Sequence, residues 1–370
     1  MRRQVLLLSV AAALVAVAAS SGTALAYPQF QMSSGTNRCG ECHYSPAGGG
    51  LLREWGRSEA ADTISRGGDD EFLYGAWEPP KWLALGADFR GVTGIKESSD
   101  TSRSELLLFP MQADIYSRFA FGKSLSLSVT LGGRGAARGF PRPPLGSREH
   151  YLMWQPNTTG PYIRIGRFYA PFGLRQTDHT MYVRRYMGFY SWEETYNVSG
   201  GVIEDDWELH ATASAPDPVQ VGTGRPYGGS LMYERAVGSN LRWGLQAKVE
   251  RTNVRTRYIA GGTGKWYLDG PKLMVMAEVD GARESIDSTP RTQLLGHLNL
   301  SYFPVQGVMV GAAVEHYAED LSVADTARDA ADLMIQVFPR SHWEVMLMGR
   351  GEQIGDTHSV LGFLMVHYYL

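Results

Sequence analysis

The sequence predicts an all-β protein, an up-and-down antiparallel transmembrane β-barrel of about 14 strands, preceded by a small helical or irregular segment. Apolar and polar residues alternate along many segments after residue 83, for example at 125–131 and 241–249. This period of two is typical of half-buried strands. The polar positions carry charges of both signs, which the water-filled interior of a barrel tolerates.

The segments that alternate in this way give the expected strand count. Both ends of a bacterial barrel return to the periplasmic side, so the count should be even, and roughly 290 residues suit fourteen strands, with twelve or sixteen in range. A soluble β-sandwich also alternates, but the number of strands and the charged polar face favour a barrel. The fifteen candidate segments lie near 83–95, 109–121, 124–131, 149–156, 161–168, 197–204, 206–215, 227–237, 241–250, 266–282, 291–303, 308–319, 330–338, 342–352 and 359–370.

The run Cys39-Gly40-Glu41-Cys42-His43 contains the only two cysteines of the chain. The spacing C-x-x-C-H is that of c-type haem attachment, in which two thiols add to the porphyrin and the adjacent imidazole binds the iron. We therefore expect one covalent haem c on Cys39 and Cys42, with His43 as the proximal iron ligand. A disulfide, a redox dithiol and a zinc site are the alternatives. A dithiol expects a βαβ context and zinc expects about four ligands, and the sequence offers neither.

The N-terminus divides the chain into a leader, a haem segment and the barrel. Residues 2 and 3 are arginines, residues 5–19 are apolar, and residues 24–26 read A-x-A, without a cysteine at the cleavage point. This pattern predicts a secretory signal peptide at 1–26. The haem c-binding segment and its linker then occupy 27–82, and the barrel occupies 83–370.

The sixth ligand of the iron is left open by the sequence. No His or Met lies between His43 and Met111, so the iron is five-coordinate, takes Met32, or takes a ligand from the barrel. If the haem lies inside the barrel, histidines on the polar face of strands or near loops become candidates. The candidates are Met32, His150, His179, His210, His297 and His367.

Residues 162–173 read YIRIGRFYAPFG. This run resembles a strand and turn of outer-membrane porins of the phosphate-selective O/P type, in which G-[RK]-F and P-F-G follow a hairpin. The resemblance implies a porin-like barrel able to form a homo-trimer, without carrying over phosphate selectivity. The last strand, with Tyr368 and Leu370, resembles the C-terminal signal of outer-membrane proteins, although that signal usually ends in Phe.

Two segments are rich in arginine. We interpret them as solvated loops; a loop that folded inward would instead line a constriction with guanidinium groups and favour anions. The arginines are Arg134, Arg138, Arg142 and Arg148 around 135–147, and Arg164, Arg167, Arg175, Arg184 and Arg185 near the long loop expected at 170–196.

Together these patterns predict a Gram-negative outer-membrane barrel that carries one haem and transfers electrons at or across the membrane. The haem segment should lie on the periplasmic side or in the lumen. One haem cannot bridge about 30 Å of hydrocarbon, so we expect periplasmic or surface redox proteins as partners, besides outer-membrane lipid. The alternative is a passive or gated diffusion porin whose haem segment is a plug or a redox or gas sensor.

Two function classes are not supported. The formal net charge of −3 gives no reason to expect nucleic-acid binding. The sequence places no acid-base constellation near His43, so we do not expect an enzyme.

Overall fold

The protein is described from a computed structural model, which covers residues 27–36, 38–100, 104–133, 145–176, 178, 180–190, 192–216 and 226–370. The signal peptide predicted at 1–26 lies outside these residues. Within the described residues, sixteen strands form one closed barrel in which each strand pairs with its neighbours in sequence and β1 pairs antiparallel with β16. The predicted fold class is therefore confirmed, with a strand number at the upper end of the expected range.

The strands vary in length, and the longest contain seventeen residues. Their bounds are β1 Leu83–Ser98, β2 Glu105–Phe121, β3 Leu125–Gly133, β4 Leu145–Trp154, β5 Gly160–Phe168, β6 Thr195–Ile203, β7 Trp207–Ala215, β8 Tyr227–Val237, β9 Leu241–Arg251, β10 Arg255–Leu268, β11 Leu273–Ile286, β12 Thr289–Val305, β13 Val308–Ala318, β14 Ala327–Arg340, β15 Trp343–Ile354 and β16 Thr357–Tyr369.

One strand was largely missed. No predicted segment covers residues 255–265 of β10, and the segment 266–282 contains only the last three residues of that strand, a tight turn and most of β11. The turn is closed by a hydrogen bond from Lys272 N to Asp269 O of 3.2 Å, and Lys272 has a φ of 53°. Residues 260–264 read AGGTG, so this part of β10 has no large apolar side chains to alternate with polar ones. Apolar residues on both sides of the short turn then hid the boundary with β11.

The two faces of the barrel wall have opposite polarity. Outward-facing side chains such as Leu106 and Leu108 are 77% and 80% exposed. Charged side chains such as Glu234, Arg242 and Lys265 point inward and are buried. This distribution is the reverse of a soluble sandwich and matches a barrel with an apolar outer band. Among the described residues, no helix is long and apolar enough to cross a membrane.

The N-terminal segment, residues 27–82, contains two short α-helices, α1 Cys39–Cys42 and α2 Glu54–Glu59. Helix α2 continues into a π turn at Ala60–Ile64, and 3-10 turns lie at Pro28–Phe30 and Phe72–Gly75. The segment lies in the barrel mouth at which the strands are joined by short turns. Contacts to three of these turns hold it there: Arg38 Nη1 to Asp205 Oδ1 at 2.8 Å, Gln306 Nε2 to Ser65 O at 2.6 Å, and Ser341 N to Gly67 O at 3.0 Å.

The long connection between β5 and β6, residues 169–194, folds into the lumen; we call it the inward loop. It contains helix α3 Tyr182–Arg185, and its aromatic rings stack on one another and on the wall, with Phe172 and Phe189 centroids 5.4 Å apart. The interpretation of this loop as solvated was wrong, because paired charges and aromatic contacts stabilise it inside the barrel. The residues around 134–144 lie outside the described part of the chain.

Candidate functional site

Cys39, Cys42 and His43 lie together at the barrel mouth. The thiols are three positions apart in α1, so they lie on the same side of the helix. His43 caps the helix and its N–H donates to Cys39 O at 3.0 Å. Both cysteines are free thiols, and all three side chains line one cavity. The structure therefore brings together the three residues that the motif predicts.

This cavity, which we call the mouth cavity, is large and mostly apolar. Together with its opening it contains about 1010 Å³ of empty space. Its apolar lining comes from both the N-terminal segment and the barrel wall: Pro28, Phe30, Leu52, Ala60, Ile64, Ala87 and Phe338.

Helix α2 closes one side of the mouth cavity by packing on α1. Gly56 makes this contact possible, because a Cβ at this position would overlap the backbone of Cys42, with the Cys42 Cα only 2.8 Å away. The two helices therefore approach through a glycine, which fixes the position of Cys42 relative to the cavity.

Burial favours the neutral forms of the two thiols and of the imidazole. Burial lowers the pKa of His43 to about 4, and the nearby backbone of Gly50 opposes only part of this shift. Burial also raises the pKa of Cys42 to about 12 and raises that of Cys39. A neutral imidazole is the form that binds a metal, whereas protonated thiols do not.

These features fit a covalent haem better than zinc. The Nδ1 atom of His43 is buried without a well-aligned hydrogen-bond partner. Across the described residues, no group of three or more His, Cys, Asp or Glu side chains is arranged to hold an ion. A haem needs an apolar cavity, two thiols and one imidazole, and Cys39, Cys42 and His43 would provide the attachment and the proximal ligand.

The barrel wall contributes a polar network to the mouth cavity. His367 contacts Asp88 through Nε2 at 2.9 Å and Glu344 through Nδ1 at 2.8 Å. The Tyr27 hydroxyl donates to the same Glu344 oxygen at 2.6 Å and accepts a bond from Arg90 at 3.1 Å. The sequence did not reveal this network, since its members are as many as 340 positions apart.

Among the described candidates for the sixth ligand, His367 alone lines the mouth cavity. Both of its ring nitrogens are already within hydrogen-bond distance of a carboxylate. The structure does not bring the other described candidates to the cavity, and His179 lies outside the described residues. Their neighbours are Leu174 and Met276 for Met32, Ser147 and Tyr196 for His150, Tyr162 for His210, and Glu315 for His297.

Arg175 of the inward loop and the neighbouring Arg148 both form buried ion pairs. Arg175 donates to Glu208 at 3.0 Å and also contacts Glu234. Arg148, on β4, bridges Asp114 at 2.8 Å and Glu194 at 2.9 Å. These guanidinium groups therefore stabilise the inward loop and do not form the anion-selective ring that an inward fold would suggest.

No protein-family model and no curated protein matches the chain. Solved outer-membrane proteins match its fold. They include an in-vitro folded, trimer form of OmpT of Vibrio cholerae, with a TM-score of 0.56, 13% identity and coverage of 78% of this chain and 99% of that chain. An anion-selective porin from Comamonas acidovorans has a TM-score of 0.58, 12% identity and coverage of 78% and 99%. OprB of Pseudomonas putida has a TM-score of 0.59, 10% identity and coverage of 78% and 94%.

Proposed function

We propose that the protein is an outer-membrane porin-like barrel of a Gram-negative cell that carries one covalent haem c and transfers electrons at or across that membrane. The observation that carries the proposal is the mouth cavity, which unites Cys39, Cys42 and His43 within apolar walls. A bound haem supplies a one-electron iron couple. The protein's own contribution is to attach and shield the group and to present it at one mouth of the barrel.

The barrel gives this site an orientation. Short turns of outer-membrane barrels face the periplasm and longer loops face outward. The N-terminal segment contacts the short turns, so we place the haem at the periplasmic mouth. The exposed apolar side chains of the outer wall contact membrane lipid in this arrangement.

The placement determines which partners the proposal includes. One site at a mouth cannot span about 30 Å of hydrocarbon, so periplasmic or surface redox proteins complete the route. The trimer form of the structurally similar OmpT makes a homo-trimer the assembly to test. We propose neither an enzymatic activity nor a nucleic-acid partner.

The second candidate function is a passive or gated diffusion porin in which the N-terminal segment is a plug or a redox or gas sensor. The similarity of the barrel to an anion-selective porin favours it. The inward loop and the N-terminal segment argue against free diffusion, because they meet inside the barrel, where Met32 packs on Leu174.

Proteoliposomes distinguish the two functions. We would compare the full chain with the Cys39→Ser/Cys42→Ser variant, adding a membrane-impermeant reductant outside and following haem absorption. We expect haem reduction in intact vesicles with the unmodified chain, no haem signal in the variant, and low ion conductance for both in planar bilayers. High conductance with a haem that no impermeant reductant reaches would overturn electron transfer in favour of a porin.

A further inference from the structure

A second cavity in the lumen is lined by six methionines. It contains about 1220 Å³ of empty space, including its openings, and lies between the inward loop and the strands β1, β2 and β12–β16. It shares Tyr27 and Arg90 with the mouth cavity. The methionines are Met111, Met309, Met334, Met346, Met348 and Met365.

Strand register brings four of these methionines together. Met334 lies directly opposite Met348 across β14 and β15, and Met346 lies directly opposite Met365 across β15 and β16. Met346 and Met348 are two positions apart, so they share the lumenal face of β15. Opposite residues have Cβ atoms about 4.5 to 5.5 Å apart, and the flexible thioether side chains extend from there into one cavity. We call these four residues the methionine patch.

The need for a large apolar side chain does not by itself explain why methionine occupies these lumenal positions. The large hydrophobic side chains exposed on the described part of the chain are leucines, valines, isoleucines and aromatics, and no methionine is among them. Methionines such as Met348 and Met365 are instead buried on the lumenal side. The lumen therefore uses a sulfur-bearing residue where the lipid-facing wall uses aliphatic ones.

The surrounding polar groups do not provide a site for a hard cation. The carboxylate of Glu344 accepts hydrogen bonds from Tyr27 and Gln336. Asp178 accepts two bonds from Thr180, through the backbone N–H and the hydroxyl. Hard cations prefer oxygen ligands, whereas thioether sulfur selects soft ions such as Cu(I).

We propose that the methionine patch binds a soft monovalent metal ion, Cu(I), through thioether sulfurs. The site depends on the barrel wall and does not require the haem. Its position beside the mouth cavity places the ion and the haem site on either side of Tyr27 and Arg90.

Titration with Ag(I), a redox-inert probe of soft-metal sites, tests the proposal. The protein is the full chain with Cys39→Ser/Cys42→Ser, so that no thiol competes and the outcome is independent of haem attachment. In this background we would compare Met334→Leu/Met348→Leu with the matched control Met153→Leu/Met232→Leu, whose buried methionines lie elsewhere in the lumen. Methionine and leucine have similar volumes, so both variants should fold.

We expect one Ag(I) per chain, a sulfur-only shell by X-ray absorption, and at least tenfold weaker binding in the patch variant alone. Equal binding in both variants, or a shell without sulfur, would overturn the site. If the cysteine-free barrel does not fold, the same methionine variants are compared in the unmodified chain. In that chain too, Ag(I) binding that is unaffected by Met334→Leu/Met348→Leu would overturn the site.

Discussion

The inward loop and the N-terminal segment both fill the lumen, but they are stabilised differently. The inward loop is held by ion pairs from Arg175 to Glu208 on β7 and Glu234 on β8 and by the stacking of Phe172 on Phe189. The N-terminal segment instead encloses an apolar cavity with unreacted thiols. The loop is therefore stabilised by contacts within itself and with the wall, whereas the segment leaves an apolar cavity, which would hold the haem under the proposed function.

Removing one charge from the inward loop should have the largest effect. Arg175→Met leaves the buried Glu208 and Glu234 partly uncompensated, and breaking a buried ion pair costs about 3 to 5 kcal/mol. Denaturant unfolding of the detergent-solubilised barrel would measure the loss. Arg185→Met is the control, because Arg185 is exposed on helix α3 of the same loop and its replacement should change stability by less than about 0.5 kcal/mol. Equal effects of the two changes would show that the loop does not depend on its paired charges.

A smaller effect is expected when a methyl group is added between α1 and α2. Gly56→Ala pushes against the backbone of Cys42, and such overpacking costs about 1 to 3 kcal/mol. We expect less covalent haem per chain, quantified from absorption against protein mass. Gly296→Ala is the control, since no atom lies within 4 Å of its added Cβ. Full haem loading of the Gly56→Ala protein would contradict the role given to this helix contact.

A glycine of the inward loop, Gly173, tests whether the loop and the N-terminal segment are independent of each other. Gly173 has a φ of 66° and its N–H donates to Gln246 at 3.0 Å, and an L-residue in this conformation costs about 1 to 2 kcal/mol. Gly173→Ala should therefore increase hydrogen exchange in the loop while leaving haem loading unchanged. Loss of haem from this variant would mean that the two regions are not independent.

The smallest effect is expected at His367. Both ring nitrogens already contact carboxylates, so the iron should not depend on this side chain. We expect His367→Ala to keep the haem and the spin state of the unmodified chain, as read by absorption and electron paramagnetic resonance. A change from low spin to high spin would instead identify His367 as the sixth ligand.

The sequence predicts features whose residues lie close together along the chain, and it does not predict contacts between residues far apart in sequence. The motif at 39–43 is local, so the sequence alone brings its three candidate residues together. The alternation along each strand is also local, but it missed residues 255–265 of β10 and did not mark the turn between β10 and β11. The inward fold of the loop depends on Arg175 meeting Glu208 and Glu234, which lie 33 and 59 positions away. A local pattern carries no signal for such a pairing.

The most direct test of the account is the intact mass of the purified barrel, measured with and without thiol alkylation under denaturing conditions. The account predicts the mass of the chain plus one haem, and no alkylation, because Cys39 and Cys42 are both consumed by the attachment. A chain without haem that takes up two alkyl groups, or does so only after reduction of a disulfide, would contradict it. The mouth cavity would then belong to a porin with a small cap.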